Sequence, residues 1–169
     1  MENLIDRINA KGNKIRQNKI DESNKKKKDF LSKLDKVKEL APRISKMWDV
    51  AQALISNGFR LGDVKYWAGF KHYTLESDSM YHWLGFVING NVVKGFGIVG
   101  GGCCGKSLVC GRDGEFEINM ETTYACGDSS VRYYPAWEYP HYVSKLDEIL
   151  NGFDEYERKF YEYAESIAA

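Results

Sequence analysis

The residues best suited to chemistry lie in one glycine-rich stretch. Gly100 to Ser107 reads GGGCCGKS and matches the phosphate-loop pattern G-x-x-x-x-G-K-[ST]. A working phosphate loop follows a strand and opens a helix, so that backbone amides, Lys106 and Ser107 can hold phosphates and Mg²⁺. The next residues, LVCGRDGEFEIN, contain two glycines and predict a strand and a tight turn instead. We therefore interpret the stretch as a connection between strands.

Cysteine and histidine side chains are numerous enough to raise the possibilities of a zinc site or a nucleophile. The candidate ligands are Cys103, Cys104, Cys110, Cys126, His72, His82 and His141. Structural zinc sites present paired ligands two to four residues apart, and here only Cys103 and Cys104 are close. A Cys126 nucleophile with His82 or His141 as its base has no local signature. We expect free thiols, no metal, no cofactor and no catalytic residue.

The charge is balanced in total but unevenly distributed. The chain has 169 residues, and the first 46 hold fourteen Lys or Arg against seven acids. Residues 115–169 hold four against twelve. The two ends therefore either pair with each other or offer a basic surface to an acidic partner.

An apolar seam predicts helix in the first third of the chain. Its members alternate spacings of four and three, as one helix face requires: Phe30, Leu34, Val37, Ala41, Ile44, Trp48, Ala51 and Ile55. Pro42 predicts a kink or a second helix that opens with Pro42 in its first turn and stops at Asn57-Gly58.

The middle of the chain predicts antiparallel strands. Asn89-Gly90 is a two-residue hairpin signal between the aromatic and β-branched runs of YHWLGFVINGNVVKGFGIV. A second hairpin joins SLVC to EFEINM through the Asp113-Gly114 turn. Together these segments predict a meander of about four strands.

A last helix is predicted from Leu146, Ile149, Leu150, Phe153, Tyr156, Phe160, Tyr163 and Ile167, which recur at steps of one, three or four. Helices at both ends of an antiparallel sheet predict an α+β fold with helices packed on the sheet. We expect a basic helical or partly mobile arm over 1–29 and one domain over 30–169. Within that domain we predict helix over 30–57, strands over 81–134 and helix over 141–167.

Two groups of residues are candidates for partner binding. The first is the lysine cluster Lys25, Lys26, Lys27 and Lys28, which would bind phosphates without sequence preference if unpaired. The second is the aromatic set Tyr133, Tyr134, Trp137 and Tyr139, which either fills the core or forms a contact surface. No aromatic residue is interleaved with the lysines in sequence.

Assembly and location also follow as expectations. The seam is longer than a small sheet can cover, so we expect a homodimer through Phe30, Leu34, Val37 and Ile44. The competing outcome is a monomer in which Pro42 breaks the helix and its first half folds back onto the last helix, so that the basic and acidic ends pair. No apolar run has the length of a membrane span and MENLIDRINAKGNK lacks a secretory core, so a cytoplasmic protein is expected.

A short Lys-, Asn- and Tyr-rich chain with a lysine-heavy helical start and no catalytic signature resembles orphan proteins of phages and mobile elements of low-GC Gram-positive bacteria. Such proteins include anti-CRISPR inhibitors. The resemblance implies a non-catalytic interaction protein that inhibits a host defence nuclease, such as a Cas effector, by protein binding. The alternative is a nucleic-acid-binding accessory protein that uses the basic arm. A small enzyme with a site at the glycine-rich loop is the third hypothesis.

Overall fold

Three helices and seven strands make up the part of the protein that a computed structural model describes. The structure describes residues 3–61, 64–67, 70–73, 82–100, 107–121, 123–126 and 131–169. The helices are α1 Leu4–Glu39, α2 Ala41–Ser56 and α3 Pro140–Ala168, and a short 3-10 helix covers Ala136–Glu138. The α+β prediction is confirmed.

The break between α1 and α2 follows the predicted position of Pro42. Helix α1 ends at Glu39, Leu40 caps both helices, and α2 begins at Ala41 with Pro42 in its first turn. Proline is tolerated there because the first amides of a helix have no partner within the helix. Helix α2 stops at Asn57, and Gly58 takes a left-handed φ of 81°. Both boundaries of the second helix are confirmed. Helix α1 runs without a break across residues 29 and 30. The division into an arm over 1–29 and a domain over 30–169 stays a prediction.

The strands form one five-stranded antiparallel sheet and a separate hairpin. The five strands pair in chain order, and the last two strands pair only with each other. The strands of the sheet are β1 Val64–Trp67, β2 Phe70–Tyr73, β3 His82–Asn89, β4 Val92–Gly100 and β5 Leu108–Cys110. The hairpin consists of β6 Thr123–Cys126 and β7 Val131–Tyr134. The predicted range of 81–134 therefore missed β1 and β2, and the sheet has five strands rather than about four.

The first hairpin is confirmed, with its turn one residue later than predicted. Asn89 pairs with Val92, so the turn consists of Gly90 and Asn91, and Gly90 takes a left-handed φ of 62°. The second predicted hairpin is shorter than expected. After β5 and the turn at Gly111–Gly114, only one bridge joins Cys110 to Phe116.

The core lies between the helices and one face of the sheet. Phe86 and Phe96 lie side by side on β3 and β4 with ring centroids 5.0 Å apart. From α3, Tyr156 lies 5.4 Å from Phe96 and Phe160 lies 5.6 Å from Phe86. Residues on the opposite face, Val87 and Val99, form a small separate cluster. The helices thus cover one sheet face, as predicted.

Candidate interaction surface

Helix α1 has two segments with different surroundings. Every residue from Asn3 to Glu22 is exposed except Gly12, which is half-buried. Further along, Ser23 and Lys27 are half-buried, and Phe30 and Val37 are buried. We call residues 4–22 the exposed segment and residues 23–39 the packed segment. At a rise of about 1.5 Å per residue, the exposed segment is about 28 Å long.

The exposed segment and the residues just after it carry a strong positive charge. Residues 4–28 hold nine Lys or Arg and three acids, a difference of six charges. Within the described part of the chain, the four lysines of the predicted cluster and Arg7, Lys11, Lys14 and Lys19 make no ion pair. This charge is therefore available to a partner.

The lysine cluster and the aromatic set, predicted separately, meet where α1 crosses the 3-10 helix. The Lys27 ammonium lies 4.8 Å from the centre of the Trp137 ring, within the range of a cation–π contact. The Trp137 indole nitrogen donates a hydrogen bond of 3.0 Å to the Ser23 hydroxyl. Lys26 and Trp137 line a groove of about 410 Å³ between α1 and the start of α3. Aromatic and basic residues are thus adjacent in space although they are not interleaved in sequence.

The aromatic set divides between the core and the surface. Trp137 and Tyr139 are buried, and Tyr139 contacts Tyr142 edge to face with ring centroids 4.9 Å apart. Tyr134 is half-buried and stacks on Tyr139. Tyr133 is 70 % exposed. Trp137 and Tyr139 thus fill the core, whereas Tyr133 presents a large exposed ring, and its role in a contact surface stays a prediction.

The residues of the predicted dimer seam are covered within one chain. Phe30, Val37 and Ile44 are buried, and Leu34 is half-buried against the same core. The seam does not overhang because the chain turns at Leu40 and places its second half, in α2, on the sheet. These residues leave no exposed stripe for a second copy, and the homodimer itself stays a prediction.

Residues of the basic first third and of the acidic last third form ion pairs with each other. The Lys33 ammonium lies 2.7 Å from an Asp147 carboxylate oxygen, and this hydrogen bond raises the pKa of Lys33. The Arg43 guanidinium contacts Glu157 at 2.7 Å and Asp154 at 2.8 Å, which raises the pKa of Arg43. The pairing of the two ends is therefore real, but it leaves the exposed segment of α1 out.

The residues that follow the glycine-rich loop form a strand and not a helix. Residues 101–106, with Cys103, Cys104 and Lys106, lie outside the described residues. Ser107 is exposed and leads directly into β5, which runs antiparallel to β4. This strand confirms the interpretation of the loop as a connection between strands. The absence of nucleotide binding stays a prediction.

Of the candidate cysteine and histidine side chains, the structure describes those of Cys110 and His141, and the other candidate side chains lie outside what it describes. Cys110 is buried, and burial raises the pKa of its thiol to about 12, so the nucleophilic thiolate is scarce at neutral pH. His141 packs against the Tyr139 ring at 5.3 Å. Among the described residues, no group of three His, Cys, Asp or Glu side chains is placed to hold a metal ion.

Sequence reasoning missed the apolar side chains of the exposed segment. The large exposed side chains there are Leu4, Ile5, Ile8, Ile15 and Ile20. The spacing of four and seven between Leu4, Ile8 and Ile15 was the available signal, since residues at this spacing share one helix face.

The described helices include none that is long and apolar enough to cross a membrane. No protein-family model, curated protein or solved structure matches this chain. Function is therefore inferred from the surface of the protein.

Proposed function

We propose that this protein is a non-catalytic interaction protein that binds a protein partner through the exposed segment of α1. The observation that carries the proposal is a helical segment of about five turns with bulky aliphatic side chains in water. Leu4 and Ile8 are 63 % and 61 % exposed. Contiguous apolar surface of this kind is typical of interaction sites. The unpaired charge beside it favours an acidic partner surface.

The finer form of the proposal is a phage or mobile-element protein that inhibits a host defence nuclease, such as a Cas effector, in the host cytoplasm. The groove in which a nuclease binds nucleic acid is positively charged, and an acidic protein surface that imitates the phosphate backbone is complementary to it. The Lys-, Asn- and Tyr-rich composition, the lysine-heavy start and the acidic exposed side of α3 support this form of the proposal.

The experiment is a pull-down at moderate salt with the tagged full chain and with a variant that carries Ile8→Ser and Ile15→Ser. We expect a stoichiometric protein partner with the parent chain and its loss with the double variant. The matched control is Ile20→Ser, which changes an equally exposed isoleucine on another side of the same helix. A nuclease assay with the recovered partner then tests inhibition. Recovery of nucleic acid alone, or of nothing, would exclude the proposal.

A second candidate function is nucleic-acid binding by the basic residues of α1. It is favoured by the lysines without ion pairs and by the exposed ring of Tyr133, on which a base could stack. Affinity for duplex DNA should then fall with salt, with a log-log slope of about −0.9 per phosphate contact. Replacing Lys25, Lys26, Lys27 and Lys28 by Gln should reduce that slope. A slope unchanged by the replacement would exclude the cluster as the contact.

A further inference from the structure

The exposed segment carries a narrow apolar stripe. Leu4, Ile8 and Ile15 lie on one side of α1 because they are separated by four and seven residues. They are 63 %, 61 % and 48 % exposed. A stripe one or two side chains wide is typical of a seam between two helices, whereas a helix that packs on a broad core has a wider apolar face.

Positive charge borders this stripe. Lys11 lies three residues after Ile8 and four before Ile15, so its side chain emerges between them. Arg7 lies three residues after Leu4, and Lys19 lies four after Ile15. Among the described residues none of these three cations has an ion pair. A surface that covers the stripe therefore meets three uncompensated positive charges.

The packed segment of the same helix shows what such a stripe binds. There Phe30 and Val37 are buried, and α3 lies alongside. Across the two helices, the Lys33 ammonium contacts the Asp147 carboxylate at 2.7 Å. The covering element at this end is thus an amphipathic helix with an acidic side chain opposite a lysine of α1. The exposed segment also has apolar residues on one side and basic side chains beside them, but no helix of the described chain covers it.

Two other occupants fit less well. A nucleic acid would neutralise the lysines, but most of its contacts are hydrogen bonds to phosphate and sugar, which aliphatic side chains such as Leu4, Ile8 and Ile15 do not make. A second copy of the segment would cover the stripe but would bring Arg7 and Lys11 close to identical charges, which costs free energy.

We infer that the exposed segment of α1 binds an acidic amphipathic helix, which packs along Leu4, Ile8 and Ile15 and places its carboxylates against Arg7, Lys11 and Lys19. The inference rests on the proposed function and names the chemistry of the protein partner. Apolar contact supplies affinity in this arrangement, and the paired charges select the partner and its register.

The test uses the full chain and two synthetic helical peptides of about four heptads with the same leucine seam. One peptide has glutamates flanking the seam and the other has lysines. We expect calorimetry at about 0.1 M salt to show binding of the glutamate peptide only. Ile8→Ser should raise its Kd about tenfold, since burial of one isoleucine contributes at least that factor. Ile20→Ser is the matched control and should leave the Kd unchanged.

A charge exchange makes the test sharper. Lys11→Glu should weaken binding of the glutamate peptide and increase binding of the lysine peptide. Equal binding of both peptides, or of neither, would overturn the inference. So would a chain that elutes with the mass of two copies, or one that binds duplex DNA and not the glutamate peptide. If the pull-down recovers a partner while neither peptide binds, the inference fails and the proposed function stands.

Discussion

The two segments of α1 belong to one continuous helix, yet only one of them has tertiary cover. The packed segment buries Phe30 and Val37 and pairs Lys33 with Asp147 of α3. The exposed segment presents Ile8 and Ile15 to water. Both segments repeat apolar residues at helical spacing, so the difference lies in what stands beside them and not in the local pattern.

This difference separates two tasks within one element. Burial of the packed segment contributes to the stability of the whole fold, because each buried side chain loses contact with water. The exposed segment contributes little of that kind, and its helix has few supports besides the cap from Asn3 to the Asp6 amide and local contacts such as Gln17 with Asp21. Stability therefore resides in one segment, and the surface proposed for a partner lies on the other.

The largest expected effect compares one buried and one exposed apolar residue of α1. Phe30→Ala should lower the free energy of unfolding by about 3–5 kcal/mol, because it leaves a cavity between α1 and α3. Ile15→Ala should change it by less than about 0.5 kcal/mol. Chemical denaturation of both variants measures the contrast. Equal losses would show that the exposed segment is packed in solution.

A second comparison concerns two kinds of lysine. The lysines of the exposed segment lie in water, whereas Lys145 of α3 is buried, and burial lowers its pKa to about 8 against the opposing effect of Glu148. Between pH 8 and 10.5 the unfolded chain binds more protons at this site than the folded chain, so the free energy of unfolding rises with pH.

The measurement is denaturation of the parent and of Lys145→Met from pH 7 to pH 10.5. The parent should gain about 3 kcal/mol relative to the variant over this range, since each unit of pKa shift corresponds to about 1.4 kcal/mol. Lys11→Met, in the exposed segment, is the control and should follow the parent. A constant difference between the parent and Lys145→Met would contradict the lowered pKa.

A third comparison tests how closely the packed segment approaches the turn at Gly111–Gly114, which follows β5. Gly114 has a φ of 75°, and an added Cβ would lie 3.0 Å from the Lys38 Cα and 3.2 Å from the Val37 carbonyl oxygen. Gly58 has a φ of 81° and nothing within 4 Å of such a Cβ. Both Ala variants lose about 1 kcal/mol through backbone strain, and Gly114→Ala should lose about 1–3 kcal/mol more through overpacking. Equal losses of stability in thermal unfolding would show that the turn at Gly114 moves to accommodate the added Cβ.

The elements with strong periodicity were predictable from the sequence. The α2 and α3 helices and the hairpin at Gly90 appear within one or two residues of their predicted positions, because spacing, Pro42 and Asn-Gly are local signals. Strands β1 and β2 were missed, although VKYW and FKHY are rich in aromatic and β-branched residues. These strands have only four residues each, and so few positions show little alternation.

The candidate surface was predictable only in part. The lysine cluster was evident from composition, but its contact with Trp137 joins residues more than one hundred positions apart and depends on how α1 crosses the 3-10 helix. Whether an apolar seam is covered also depends on tertiary packing. The seam from Phe30 is covered by α3 and the sheet, while the stripe at Leu4, Ile8 and Ile15 is not.

The smallest expected effect on global stability comes from Gly12→Ala in the exposed segment. Glycine within a helix costs about 1 kcal/mol relative to alanine, and an added Cβ would meet only the Arg16 guanidinium at an ordinary 3.5 Å. If the segment frays independently of the core, its amides should exchange about fivefold more slowly in the variant while the denaturation midpoint stays constant. The amides near Leu146 in α3 serve as the internal reference. A shift of the midpoint that corresponds to about 1 kcal/mol in the free energy of unfolding would instead show that the exposed segment unfolds together with the core.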